Sequence, residues 1–274
     1  TENRAECIGG GISIDDALST IITDVSIINN DAGNGGGMFI SGGSNPILTN
    51  VAISGNSASE QDFWWVNWEG NLQLRADEYN GFGGGIYVGG DSDDPASSVM
   101  NNVSISENTA NLLGGGMFIH GSSIPIQSRV TITGNMVEDG QAPYFCDDNY
   151  WCFEEEEYWS QIGSGLGGGI FLHSCANPIA NWTIAGNTAE GQGGGIYAWC
   201  DASDDGSGNF TSTLEVTNSI VWNNNPESIT YTYVTSPDML AHPIINYSNI
   251  GSEWFPDVII GEGNINSDPL FTDP

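Results

Sequence analysis

The sequence predicts an all-β protein, a solenoid of about seven or eight stacked rungs that takes up the single domain 1–274. Two short motifs recur along the chain: a glycine triplet followed by alternating apolar residues, and a signature of the form apolar-x-Ile-x-x-Asn. The triplets start 26, 48, 31, 53 and 26 residues apart, which a unit of about 26 residues with insertions explains. They begin at Gly9, Gly35, Gly83, Gly114, Gly167 and Gly193.

The residues after each triplet predict strands, because they alternate between apolar and polar over short runs bounded by Gly, Asn and Ser. A rung of two or three such strands cannot bury its apolar face alone, so we expect rungs to stack about 4.8 Å apart into a parallel β-helix. Ile and Val after the glycines point inward in this arrangement. One equivalent position is aromatic and predicts a stack of Phe39, Tyr87, Phe118, Phe171 and Tyr197.

The second signature places asparagine at one turn of each rung, where identical side chains can hydrogen-bond from rung to rung as a ladder. The glycines predict a corner at which the backbone needs a positive φ or a close approach. The predicted ladder consists of Asn30, Asn56, Asn108, Asn135, Asn187 and, in a looser copy of the signature, Asn225.

These two signatures, together with the ending GEGNINSDPLFTDP at Gly261–Pro274, resemble the right-handed parallel β-helix repeat proteins of bacterial surfaces. They are also similar to the repeats of polymorphic outer-membrane proteins and to the wider pectin-lyase-like superfamily. The resemblance covers nearly the whole chain and implies a right-handed solenoid. It leaves function open, because this architecture carries lyases, hydrolases, adhesins and inert stalks.

Two long insertions, 59–82 and 138–166, leave the same predicted corner two rungs apart. Insertions on one face of a solenoid usually form its distinctive surface. They contain a run of four glutamates, 154–157, and five tryptophans, so they predict either a surface that binds a partner or a glycan, or a private small core. The candidate interface residues are Trp64, Trp65, Trp68, Trp151 and Trp159.

Charge excludes several classes of partner. Lys and Arg number 3 against 35 Asp and Glu, for a formal net charge of -32. Nucleic-acid binding and attraction to an anionic membrane both depend on basic residues, so neither is expected. No apolar run approaches the roughly 18 residues of a membrane span. A chain that begins at Thr1 and contains 5 cysteines predicts a mature protein that is secreted or exposed at the cell surface.

The cysteines predict two disulfides and one remaining thiol. Cys146 and Cys152 lie six residues apart within the second insertion, and Cys175 and Cys200 follow their triplets at nearly the same corner of neighbouring rungs. A rung spacing of about 4.8 Å suits the Cα–Cα distance of a disulfide. We expect Cys7 to stay a thiol or to link two subunits.

Acidic loops predict bound calcium. Asp201, Ser203 and Asp205 fit the first half of a calcium loop, and Asp91 and Asp93 occupy the equivalent corner of an earlier rung. Clustered carboxylates without lysine favour Ca²⁺, and the alternative is a solvated acidic surface.

Two further motifs are ambiguous. His120 and His173 follow their triplets by four residues each, and they form either half of a transition-metal site or an ordinary stacked pair. The glycosylation motif Asn-x-Ser/Thr occurs at Asn102, Asn181, Asn209 and Asn246, and the first two are expected in or beside core strands, where a glycan is hard to place.

The sequence predicts a non-catalytic, extracellular structural subunit that stacks head to tail with its own copies into a calcium-stabilised filament. A lyase needs a basic residue, and Arg129 is the only one within a regular repeat. A glycoside hydrolase needs only two carboxylates, but nothing singles out a pair. The alternative is a monomeric adhesin, or a carbohydrate-binding or carbohydrate-active module, that uses the aromatic and acidic insertions.

Overall fold

The computed structural model of the protein describes residues 1–59, 63–66, 72–75, 81–90, 95–120, 126–138, 163–173, 178–200, 214–233, 243–251 and 259–271. Within these residues all regular structure is β-strand, arranged in parallel sheets whose neighbours are not consecutive in sequence. That connectivity is a parallel β-helix, as predicted. No helix long and apolar enough to cross a membrane occurs in the described ranges.

Sheet 1 follows the glycine triplets and has seven parallel strands. Inward and outward residues alternate along it, so Met38 and Ile40 are buried while Phe39 between them lies on the outer face. Its strands are β1 (Ile12–Ile14), β4 (Met38–Ile40), β9 (Ile86–Val88), β12 (Met117–Ile119), β15 (Ile170–His173), β19 (Ile196–Cys200) and β22 (Ile229–Tyr233).

Sheet 2 also has seven parallel strands and carries the first part of the asparagine signature. Among the described residues each of these two sheets has seven strands, a number that agrees with the predicted seven or eight rungs. The strands are β2 (Ile21–Ile28), β5 (Ile47–Ser54), β10 (Val99–Ser106), β13 (Ile126–Thr133), β17 (Trp182–Ala185), β21 (Ile220–Trp222) and β24 (Asn249–Ile250).

Smaller sheets complete the rungs. Sheet 3 follows the ladder asparagines and consists of β3 (Asp31–Ala32), β6 (Ser57–Ala58), β11 (Thr109–Ala110), β14 (Met136–Val137) and β18 (Thr188–Ala189). Sheet 4 consists of β16 (Ile179–Ala180), β20 (Glu215–Thr217), β23 (Ile244–Asn246) and β25 (Ile259–Ile260). An antiparallel hairpin within the first insertion joins β7 (Phe63–Val66) and β8 (Leu72–Arg75), with Trp64 opposite Leu74 and Trp65 opposite Gln73.

Each regular rung has a left-handed residue at three equivalent positions. In one rung these positions hold Gly35 before sheet 1 (φ 61°), Asn50 in the middle of β5 (φ 53°) and Gly55 before the ladder asparagine (φ 63°). The same rung has two further left-handed residues, Gly42 and Gly43. Gly and Asn tolerate this conformation best, which explains why they recur at fixed positions of the repeat.

The core fills the inside of the solenoid with columns of apolar side chains, most of them aliphatic. Val51, Val103, Val130 and Trp182 lie in register in sheet 2, and all are nearly inaccessible to solvent. Both insertions leave directly after sheet 3, where Ser59 and Glu138 donate backbone hydrogen bonds to the preceding rungs.

Candidate functional surfaces

The turn between sheets 2 and 3 is held by a column of asparagines. From Asn30 onward, each side-chain Oδ1 accepts two hydrogen bonds of 2.8 to 3.0 Å from the asparagine one rung nearer the N-terminus, one from its backbone N–H and one from its Nδ2. From Asn56 onward, Nδ2 also donates to an isoleucine carbonyl 3.0 Å away. The members are Asn3, Asn30, Asn56, Asn108, Asn135, Asn187 and Asn224.

The assignment of Asn225 to this column is wrong by one position. Val221 pairs with Ile184, so the residue three further on, Asn224, accepts from Asn187, while Asn225 is exposed. The sequence misleads here because Ser219 occupies the position at which the other copies of the asparagine signature begin with an apolar residue. Its hydroxyl donates to the Thr217 carbonyl, which allows a polar residue inside the solenoid.

The third glycine of each triplet allows the rungs to approach the asparagine column. A Cβ added to Gly116 would lie 2.6 Å from the carbonyl oxygen of Gly169 and 3.0 Å from Nδ2 of Asn135. The first glycine has a requirement besides space, since Gly114 has a φ of 67° and a Cβ added to it would clash with the carbonyl oxygen of Met117. The third position therefore requires glycine for space alone, and the first position for both space and backbone conformation.

The outer face of sheet 1 carries the predicted aromatic column. Phe39, Tyr87, Phe118, Phe171 and Tyr197 stack in sequence, with ring centroids 4.6 to 5.5 Å apart. Phe118 and Phe171 are inaccessible to solvent although they point away from the solenoid, so a second apolar cluster lies outside the main core. Burial raises the pKa of the Tyr197 hydroxyl, although its hydrogen bond of 2.8 Å with Thr232 opposes that rise.

His120 and His173 extend this face as a stacked pair. Their ring centroids are 4.7 Å apart and the ring planes differ by 14°. Imidazole lone pairs lie in the ring plane, so two parallel rings direct them side by side and not toward one ion. The pKa of His173 is lowered to about 3, first by burial and second by the neighbouring His120, which keeps this imidazole neutral.

The rung formed by residues 9–32 leaves its core open on one side. Ile12, Ile22 and Val25 are only partly buried. Their partners in the next rung, Met38, Leu48 and Val51, are 0 to 2% exposed. Strands β1 and β2 pair on one side only within the described residues. Residues 2–5 cover part of this face, above the asparagine turn, through hydrogen bonds to Ile28 and Asp31.

Exposed large apolar side chains are concentrated at the two ends of the described solenoid. Between residues 48 and 243, none of the large apolar side chains whose exposure the structure describes reaches this level. The exposed residues are Ile8, Leu18, Ile21 and Ile47 toward one end, and Ile244, Tyr247, Ile265, Leu270 and Phe271 toward the other.

The end at residues 1–32 is strongly acidic. Its one basic side chain, Arg4, places Nε 3.5 Å from Oδ2 of Asp31. Six carboxylates lie in this segment: Glu2, Glu6, Asp15, Asp16, Asp24 and Asp31. Cys7, which is half-buried, is present here as a thiol.

Most of the predicted ligand and interface residues lie outside the part that the structure describes. This holds for the calcium candidates Asp91, Asp93, Asp201, Ser203 and Asp205, for Cys146, Cys152 and Cys175, and for Trp68, Trp151 and Trp159. Trp64, Trp65 and Cys200 are described only as members of β7 and β19. Within the described ranges, no three His, Cys, Asp or Glu side chains lie close enough to hold a metal ion.

Sequence reasoning missed a second, outer row of amides. Asn50 donates from Nδ2 to Oδ1 of Asp24, and Asn102 donates to Oδ1 of Asn50, both at 2.9 Å. A signal was present, because Asp or Asn directly precedes several copies of the asparagine signature. Asn3 was missed because no apolar signature precedes it.

Comparison with known proteins gives the same architecture. Residues 2–205, more than half of the chain, match a family model described as a right handed beta helix region. No curated protein and no solved structure matches the chain.

Proposed function

This chain belongs to the right-handed β-helix family, and we propose that it is an extracellular structural subunit that stacks end to end with its own copies into a filament. The observation that carries the proposal is the open core at the rung formed by residues 9–32. Ile12, Ile22 and Val25 belong to the apolar interior and yet are partly exposed there. Burying them under a further rung is favourable by about 25 cal/mol per Å² of apolar surface.

A second copy is a suitable occupant because its last rungs continue the same geometry. Among the described residues, β22 is the last strand of sheet 1 and runs parallel to β19. In sheet 2, Asn249 of the last strand, β24, forms a parallel bridge to Ile265, so this segment covers β24. The open edge of one copy can therefore pair in the parallel sense with β22 and with the segment at Ile265 of the next copy. Such a contact joins two different surfaces and does not close on itself, so it produces a filament.

Charge opposes this junction and therefore makes it dependent on ions. Carboxylates lie on both sides, for example Asp16 and Asp24 in the first rung and Glu262 and Asp268 near the other end. Each copy carries a formal charge of -32. We propose that calcium binds the acidic surface and lowers this repulsion, so assembly strengthens when calcium is added.

The proposal includes the absence of catalysis. Arg129, the basic residue of the regular repeat, is exposed at a left-handed corner with φ 56°. An exposed guanidinium in a strongly negative field is a poor general base, because it offers only hydrogen-bond donors and no lone pair that accepts a proton. Solutions of the protein should leave neutral and acidic polysaccharides intact.

The test compares Ile21→Asp with Ile47→Asp by sedimentation velocity across a range of protein concentrations. The two isoleucines pair in register on β2 and β5, but Ile21 is 71% exposed and Ile47 39%. If the first rung forms the junction, Ile21→Asp abolishes the larger species, while Ile47→Asp, with the same change of charge one rung farther from the open end, leaves them in place. Each variant is measured with calcium, with a chelator, and with sodium chloride at matched ionic strength.

A wild-type protein that stays monomeric at high concentration with calcium present contradicts the proposal and favours the monomeric adhesin or carbohydrate-binding module. Equal loss of assembly in both variants places the contact on the side of the solenoid and contradicts end-to-end stacking. Equal effects of calcium and sodium chloride reject a specific calcium requirement while keeping the filament.

A further inference from the structure

Sheet 2 bends at an outward-facing left-handed residue in each regular rung. The φ angles at Asn50, Asn102, Arg129 and Asn181 lie between 53° and 63°. Asn102 and Asn181 are both exposed. The sequence predicts that these two asparagines lie in or beside core strands, where a glycan is hard to place. That prediction does not take this bend into account, and the bend turns their side chains toward solvent.

The same geometry supplies the second half of the glycosylation motif. Two residues after the bend, strand alternation directs a side chain outward, and this position holds Ser104 after Asn102 and Thr183 after Asn181. Both hydroxyl-bearing residues are partly exposed, whereas the residues between them and the asparagines, Val103 and Trp182, are buried. The acceptor amide and the hydroxyl therefore lie on the same outer surface.

Space for a first sugar is present beside Asn102. An open cleft of about 240 Å³ adjoins its side chain and is lined mainly by small or polar residues, among them Ala52, Ser104 and Thr131. Nδ2 of Asn102 carries two hydrogens, and one donates to Oδ1 of Asn50 at 2.9 Å. Substitution of the other hydrogen by a sugar keeps this hydrogen bond.

We propose that Asn102 and Asn181 are acceptor sites for N-linked glycans. The bond that forms joins Nδ2 of the asparagine to the anomeric carbon of the sugar. The bond that breaks joins that carbon to the diphosphate of a polyprenyl-linked oligosaccharide, which leaves as the polyprenyl diphosphate, and the amide proton passes to a base. The proposal rests on the extracellular location in the proposed function, because the chain meets such a donor only during export.

The motif at Asn246 is the contrasting case within the same chain. Asn246 is half-buried, and its Oδ1 accepts the backbone N–H of Glu262 at 3.0 Å. The hydroxyl of its motif, Ser248, is 1% exposed and donates to the carbonyl of Asn246 at 2.8 Å. A glycan here would separate β23 from the segment that covers it, so the folded protein should carry none.

The test expresses the chain behind a secretion leader in cultured eukaryotic cells and maps the secreted protein by mass spectrometry, with and without peptide N-glycosidase. We expect glycans on the peptides of Asn102 and Asn181 and none on that of Asn246. Asn102→Gln and Asn181→Gln each remove one glycan. Ala52→Thr, which completes the motif at Asn50 in the same outer row, adds one.

Circular dichroism on the same samples shows whether the β-structure is retained. Unmodified Asn102 and Asn181 in the secreted, folded protein overturn the proposal. A glycan on Asn246 in folded protein also overturns it, because the motif alone would then decide modification. The leader provides export in this experiment, so its result is independent of whether the chain forms filaments.

Discussion

The side-chain oxygen of Asn135 accepts two hydrogen bonds from Asn108, one from its backbone N–H at 3.0 Å and one from its Nδ2 at 2.9 Å. Both residues are at most 1% exposed, so no solvent can replace either bond. Each ladder asparagine thus satisfies the backbone of one rung with the side chain of the next. The rung-to-rung register therefore depends on buried amides as well as on strand pairing.

We predict that Asn224→Ala lowers the free energy of unfolding by about 2–4 kcal/mol, because the backbone N–H of buried Asn187 and one of the two hydrogens on its Nδ2 lose their acceptor. Asn225→Ala changes an exposed side chain and should alter stability by less than about 0.5 kcal/mol. Urea denaturation followed by circular dichroism measures both. A larger loss in Asn225→Ala would contradict the register assigned to this rung.

Gly116→Ala should destabilise the protein more than Gly186→Ala, although Gly186 has the positive φ of 64°. At Gly116 the new methyl meets a backbone oxygen at 2.6 Å, which costs about 3 kcal/mol or more in a close-packed interior. At Gly186 no atom lies within 4 Å, so only the left-handed conformation is penalised, by about 1 kcal/mol. Thermal and urea unfolding of the two variants should reproduce this order, and the reverse order would show that space at the triplet is not limiting.

Glu107→Asn should raise stability by about 0.5–1 kcal/mol. Glu107 is exposed with φ 56°, at a turn where Gly134 and Asn223 occupy the equivalent positions of other rungs. Asparagine tolerates this conformation better than glutamate. Glu138→Asn removes the same charge elsewhere, so an equal gain in that control would mean that charge, and not backbone conformation, is responsible.

His173→Phe should weaken the dependence of stability on acid. The pKa of His173 is about 3 in the folded protein against 6.5 for the free side chain, so the unfolded chain binds the extra proton first as pH falls. Wild-type stability contributed by this group is fully present above about pH 6.5 and declines as the pH falls toward 3. Urea midpoints of wild type and variant at neutral and acidic pH give the difference, and parallel curves would refute the assignment.

The repeat pattern predicted the columns because glycine triplets and asparagine signatures mark positions where few residues are tolerated. It misplaced Asn225 since a buried serine, Ser219, replaces the apolar residue that marks the phase. It also placed Asn102 in or beside a core strand, without the bend that occurs there. The alternation of apolar and polar residues shows which side chains face the core. It does not reveal the left-handed bend at Asn102, because Asn tolerates that backbone conformation but also adopts others.

The connection from sheet 3 to the next glycine triplet has 3 residues after Ala110 and 24 after Ala58. Despite this difference, both connections begin with an equivalent backbone hydrogen bond. The N–H of Asn111 donates to the carbonyl of Ala58 at 3.0 Å, and the N–H of Ser59 donates to the carbonyl of Ala32 at 2.9 Å. Closing a longer loop destabilises the folded protein only slightly more than closing a short one, because the entropy cost of closure grows with the logarithm of loop length. The short connection after Ala110 should therefore accept a transplanted epitope or enzyme loop, and this would make the solenoid a display scaffold whose grafts are spaced by whole rungs.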